Sequence, residues 1–64
     1  MATRKNFTVG TKRGLNLRAE PSKDASVLKV LAYEEKVVVD HNVEVPEGWV
    51  AVKPEGYVRK EFLQ

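Results

Sequence analysis

The sequence predicts an all-β fold, a small barrel of five or six short strands with a single 3-10 turn near the C-terminus. Three observations predict it. Short segments of alternating or β-branched residues recur along the chain, each ended by glycine, proline or a polar cluster. The 64 residues make one domain. Five or six strands in that length cannot form two separate packed sheets without sharing strands, whereas a strongly bent sheet closed on itself removes most edges and encloses one core.

Each element has its own signal. Phe7-Thr8-Val9 alternates and stops at Gly10, and Gly10–Gly14 is a connection bracketed by two glycines. Leu15-Asn16-Leu17-Arg18 alternates with both leucines on one face. The polar stretch 19–26 carries Pro21 and no apolar period, so it reads as a long loop. Val27–Leu31 is apolar again. A helix over 24–33 competes there, but β-branched residues and short length favour a strand. Glu34-Glu35 turns the chain into Lys36–Asp40, a strong strand with Val37, Val38 and Val39. The loop 41–48 ends at Pro46 and Gly48, Trp49–Lys53 is the next strand, and Pro54-Glu55-Gly56 is a tight link. Tyr57-Val58 begins a last strand, and 59–63 suits one 3-10 turn. The expected core is Phe7, Val9, Leu15, Leu17, Val27, Leu31, Val37, Val39, Val52, Val58 and Leu63. Residues 1–6 are expected to be a flexible terminal segment and 7–64 the barrel.

Composition removes several function classes. A chain this short buries only about 60% of the surface that its unfolded form exposes, so a deep enclosed active site is not expected. There is no cysteine, hence no disulfide and no thiolate metal site, and the lone His41 cannot build a zinc site without several carboxylates beside it. No metal and no cofactor are expected. The N-terminal residues lack the apolar run of a secretory signal, and the longest purely apolar run, Val37–Val39, is far short of a membrane span. A complete, soluble, cytoplasmic protein with no membrane partner is therefore the expectation. The net charge of +2 is unevenly spread: 1–18 holds five bases and no acid, whereas 19–64 holds six bases and nine acids. Such a basic end can contact phosphates, or can simply be a solvated strand edge guarded against aggregation.

Taken in order, these landmarks resemble the bacterial SH3 family (SH3b, SH3-type-3). The residues that carry the resemblance are Leu15-Asn16-Leu17-Arg18-Ala19-Glu20-Pro21-Ser22, then Val27–Leu31 and Val37–Val39, then Gly48-Trp49-Val50-Ala51-Val52, and last Gly56-Tyr57-Val58 with Phe62-Leu63. The match spans 7–63 and implies an SH3-like barrel of five or six strands with a long loop at 19–26. Glu20, Lys29 and Glu34 stand where the family usually has glycine, so the local turns are open to change, for instance to a type I turn at Glu34-Glu35. Tyr57 replaces the usual Trp and Phe62 the usual Tyr.

Catalysis has no support in the residues. A nucleophile needs a base in reach and a third group to orient it; Ser22, Ser26 and His41 form no such pattern, and no carboxylate pair or phosphate loop stands out. A binding module is the better reading. By resemblance, its groove is lined by Pro21, Trp49, Tyr57 and Phe62, with Glu20 and Asp24 on the rim. The competing reading has Trp49 and Tyr57 capping an undersized core. Proline-helix binding is disfavoured because Arg59 and Phe62 stand where eukaryotic relatives place Pro and Tyr, so another extended peptide or a protein surface is the expected partner. A peptidoglycan peptide is the family-average alternative. Nucleic acid ranks third, because the aromatics lie mostly in the acidic part of the chain. Arg18, at the end of its strand, is expected to anchor a loop through its guanidinium. The sequence carries no signal for an oligomeric state.

Overall fold

The computed structural model describes residues 4–64. It is all-β with six antiparallel strands: β1 (Asn6–Thr8), β2 (Leu15–Arg18), β3 (Val27–Leu31), β4 (Lys36–Asp40), β5 (Trp49–Lys53) and β6 (Tyr57–Arg59), followed by a 3-10 turn, η1 (Lys60–Phe62). The competing helix over 24–33 does not form. The strands make one bent, SH3-like sheet in the order β1-β4-β5-β6-β2-β3. Its two ends, β1 and β3, are not paired with each other, so the barrel is not fully closed. Of the terminal segment 1–6, residues 1–3 lie outside the described residues; the carbonyl of Lys5 accepts the Val39 N–H at 2.8 Å, and Asn6 opens β1.

The chain after β1 ties the two ends of the sequence together. Val9 forms an isolated bridge with Leu63. Thr8 and Gln64 exchange both backbone hydrogen bonds, at 2.8 and 2.9 Å, and Gly10 N–H donates to the carbonyl of Phe62 at 2.7 Å. Val9 also exchanges bonds with the β3–β4 turn, donating to Glu35 O and accepting from Glu34 N–H. Its backbone groups are thereby paired while its side chain is completely buried, as a buried polar backbone requires.

The main core is one cluster of Val9, Leu15, Leu17, Leu31, Val37, Val39, Val52 and Val58, with Phe7, Val50 and Leu63 packed against it. It follows from strand alternation. Leu15 and Leu17 on β2, and Val37 and Val39 on β4, point inward while their neighbours point out. Val27 is the exception among the expected core residues, at 45% exposed. The pairing of β2 with β3 slips between Leu17 and Arg18, so that Leu17 faces Lys29 but Arg18 faces Val27. The slip breaks the phase that would align Val27 with Leu31, and β3, as an end strand, has a neighbour on one side only.

The β3–β4 turn also differs from expectation. The Glu35 N–H donates to Ala32 O at 3.0 Å, which closes a four-residue turn with Glu34 at φ 68° in its third position. This is the sign pattern of a type II turn, not type I. Of the three sites where glycine is usual, only Glu34 adopts positive φ. The turn is held a second time by the Glu35 carboxylate, which accepts the Ala32 N–H at 2.9 Å.

Candidate functional site

Strand alternation gives β5 two faces with different duties. Val52 and Val50 belong to the core side, opposite Val39 and Val58 respectively. Trp49 and Ala51 lie on the other face, yet they are buried too, at 8% and 6% exposed, and neither belongs to the main core cluster. Their cross-strand partners on β6 are Arg59 and Tyr57. The Arg59 guanidinium lies over the indole, with Cζ 5.4 Å from the ring centroid. Trp49 is thus a floor beneath Arg59 and offers little contact area of its own.

The strand β6 pairs with β2 only at Arg18 and Tyr57. Beyond that point lies a cavity of about 360 Å3, lined by Leu15, Asn16 and Arg18 of β2, Arg59 of β6, Phe62 of η1, and Thr11, Arg13 and Gly14 of the β1–β2 loop. A tight turn positions the loop: Gly14 N–H donates to Thr11 O at 3.0 Å, leaving Lys12 and Arg13 at the tip. The wall therefore carries three guanidinium groups and no carboxylate, which gives the cavity a positive potential. Arg18 is fixed by donating from Nη1 to the Ala25 carbonyl at 2.9 Å, the loop anchor expected of it. Arg59 donates from Nη2 to the Glu61 carboxylate at 3.1 Å, while its Nε is buried without an acceptor.

The six residues singled out by the sequence are only partly brought together. Phe62, 41% exposed, lines the cavity, and Trp49 reaches it through Arg59. Tyr57 is half-buried and shares its backbone pairing with Arg18. Glu20 and Asp24 are exposed and Pro21 half-buried on the β2–β3 loop, and none of the three lines the cavity. That loop is held by its own contacts: Ser22 Oγ accepts the Asp24 N–H at 3.2 Å, and Ala19 N–H donates to Ser26 O at 2.9 Å. The arginines Arg13 and Arg59 were not legible as site residues. The one available signal was the Trp49-to-Arg59 spacing across a short turn, which places them opposite each other only once the register is known.

A second cavity, of about 320 Å3, lies between the β2–β3 pair and the β4–β5 pair. Leu17, Leu28 and Leu31 of β2 and β3 face Val37 and Val52 of β4 and β5 across it, with Lys and Glu side chains at its mouth. Among the described residues no helix is long and apolar enough to cross a membrane. A family model described as bacterial SH3 domain matches residues 13–64. No curated protein and no solved structure gives a significant match.

Proposed function

The chain belongs to the bacterial SH3 domain family, and we propose that it is a non-catalytic binding module recognising an extended peptide or a protein surface on the face built by Trp49, Tyr57 and Phe62. Bacterial SH3 domains are binding modules. The observation that carries the reading is the cavity beside the Trp49–Arg59 pair, where Phe62 is exposed next to three arginines. An exposed aromatic beside fixed donors is the usual composition of a small recognition site. We assign Pro21, Glu20 and Asp24 of the β2–β3 loop to the rim of this face on the strength of the family resemblance.

Among the described residues, the surroundings of the candidate base and nucleophile support the non-catalytic part. His41 Nε2 is engaged with the Arg4 carbonyl at 2.6 Å, Ser22 with the Asp24 amide, and neither meets a partner suited to proton transfer. Cell-wall peptide targeting is the second reading, favoured by family membership. Nucleic-acid binding ranks lower, because the basic side chains of 1–18 are divided between the β1 and β2 regions, strands that are not neighbours in the sheet.

Titrations with a muropeptide, with acetylated pentapeptides and with a thymidine oligonucleotide, followed by Trp49 fluorescence and amide shifts, test the reading. Shifts that cluster on β6, η1 and the β1–β2 loop with a peptide are the expected result. Shifts with the oligonucleotide alone, lost as salt rises, would replace this reading by the third.

A further inference from the structure

We propose that the cavity between β2, β6 and the Thr11–Gly14 turn is a carboxylate pocket, which takes an aspartate or glutamate side chain of an extended peptide partner. The inference rests on the binding-module reading above and names the chemistry of its ligand.

Donor accounting carries it. An arginine presents five N–H donors in a planar fork that matches a carboxylate with two parallel bonds. Arg18 uses one, Nη1, on the Ala25 carbonyl, which fixes the side chain and leaves donors free. Arg59 is steadied by the Trp49 ring and uses Nη2 on a single oxygen of Glu61, while the adjacent Nε is buried with no acceptor. That N–H is shut off from solvent, so an incoming group meets the terminal nitrogens of Arg59, of which Nη2 is shared with Glu61. Arg13 makes no side-chain hydrogen bond among the described residues. Of the three cations that line the cavity, only Arg59 has an acid partner among the described residues, Glu61; Arg13 and Arg18 have none, and an incoming anion relieves the repulsion among the three. Phe62 and Asn16 complete the wall, one packing against methylene groups and the other offering an amide.

The surroundings favour a single carboxylate over a polyanion. Glu61 already holds a side-chain carboxylate against Arg59, so the site accepts this group in this place. That ion pair is open to water, with Arg59 and Glu61 side chains 42% and 61% exposed, and such pairs are exchanged at little cost. A nucleic-acid backbone crossing the cavity would meet Glu61, and the loop that leaves β2 adds the exposed Glu20 and Asp24. One acidic side chain in an otherwise neutral peptide has to displace Glu61 alone and brings no further charge against Glu20 and Asp24.

The probes are acetyl-Ala-Tyr-Glu-Tyr-Ala-amide, its Gln isostere, the Gln isostere with a free C-terminus, and a thymidine octamer. Each is titrated into the whole chain while amide and arginine Nε–H resonances are followed. The Glu peptide is expected to bind about tenfold more tightly than the Gln amide and to move Arg13, Asn16, Arg18 and Arg59 signals. Arg13→Gln, at an exposed loop tip, is expected to weaken the Glu peptide about three- to tenfold with unchanged circular dichroism. Glu61→Gln is expected to tighten it about two- to fivefold. Equal binding of the Glu and Gln amides on these residues overturns the carboxylate pocket and leaves the binding module standing. Equal binding of the Glu amide and the free-carboxylate Gln peptide overturns the side-chain source. Tighter binding of the octamer than of any peptide overturns the peptide partner. Silence of these resonances to every probe at millimolar concentration overturns both the pocket and the reading beneath it.

Discussion

Arg59 lies across the indole of its cross-strand partner Trp49, with the guanidinium carbon 5.4 Å from the ring centroid. The pair is on the face of β5 and β6 that turns away from the main core. A second small apolar layer therefore exists under the cavity, made by Trp49 and Ala51 and covered by an arginine whose stem and plane both favour an aromatic surface. In a domain with so little interior, this layer does two things: it holds the indole out of water and steadies Arg59.

Trp49→Ala is accordingly expected to lose about 3–5 kcal/mol, the usual cost of truncating a buried large aromatic. A 64-residue domain has roughly 3–10 kcal/mol in total, so the variant should be largely unfolded in urea at concentrations the parent tolerates. Trp49→Phe should stay folded at a smaller cost. Equilibrium urea unfolding followed by circular dichroism reads both. A Trp49→Ala midpoint indistinguishable from the parent would show that the indole is a surface group.

The turn at Glu34 yields the opposite sign. A non-glycine residue at φ 68° carries about 1–2 kcal/mol of steric cost, and glycine removes it while adding backbone entropy to the unfolded chain. The net gain expected for Glu34→Gly is about 0.5–1 kcal/mol, seen as a higher urea midpoint with an unchanged slope. The Ala32–Glu35 bonds that hold the turn do not use the Glu34 side chain, so nothing else is given up. A lower midpoint would mean that the Glu34 side chain contributes more than its strained backbone costs.

The core was legible wherever a strand alternates cleanly: Leu15 and Leu17, Val37 and Val39, and Val52 and Val58 stand where their period places them. Legibility failed where the answer depends on pairing. Val27 has the composition of a core residue, but the slip at Leu17–Arg18 and its place on an end strand turn it to solvent. Ala51 is buried because it shares a face with Trp49, which no apolar period announces. The site was half legible for the same reason. Aromatic residues mark themselves by type, whereas Arg13, Arg18 and Arg59 come from three segments and converge only through the β2–β6 bridge and the Thr11–Gly14 turn.

The exposure of β3 separates two neighbouring apolar residues. Val30 is 61% exposed and Leu31 5%. Val30→Thr keeps the β-branch and is expected to change stability by no more than about 0.5 kcal/mol, whereas Leu31→Ala should cost about 2–5 kcal/mol. Thermal unfolding of the two variants checks the phase of the strand directly. A large loss from Val30→Thr would mean that the outer face of β3 is covered in solution, by a second copy or by another segment.

Two glycines separate strain from steric overlap. Gly48 and Gly56 both have positive φ, 91° and 93°, so an alanine at either pays the same backbone cost of about 1 kcal/mol. Their surroundings differ. A Cβ on Gly48 meets only the Arg59 Nη2 at 3.9 Å, whereas a Cβ on Gly56 falls 2.6 Å from Leu17 Cδ1 and 3.2 Å from the Arg18 carbonyl. Leu17 is buried in the core and has no free space to yield into, and overpacking of this kind adds about 1–3 kcal/mol. Gly56→Ala should therefore be the more damaging of the two by about that difference, measured as the gap between their urea midpoints at equal slope. Because Gly56 also presses on the strand end that carries Arg18, its variant should disturb Arg18 and Tyr57 amide shifts, while Gly48→Ala should leave them in place. Equal midpoints for the two variants would mean that the β5–β6 turn does not press against Leu17 as closely as these distances state.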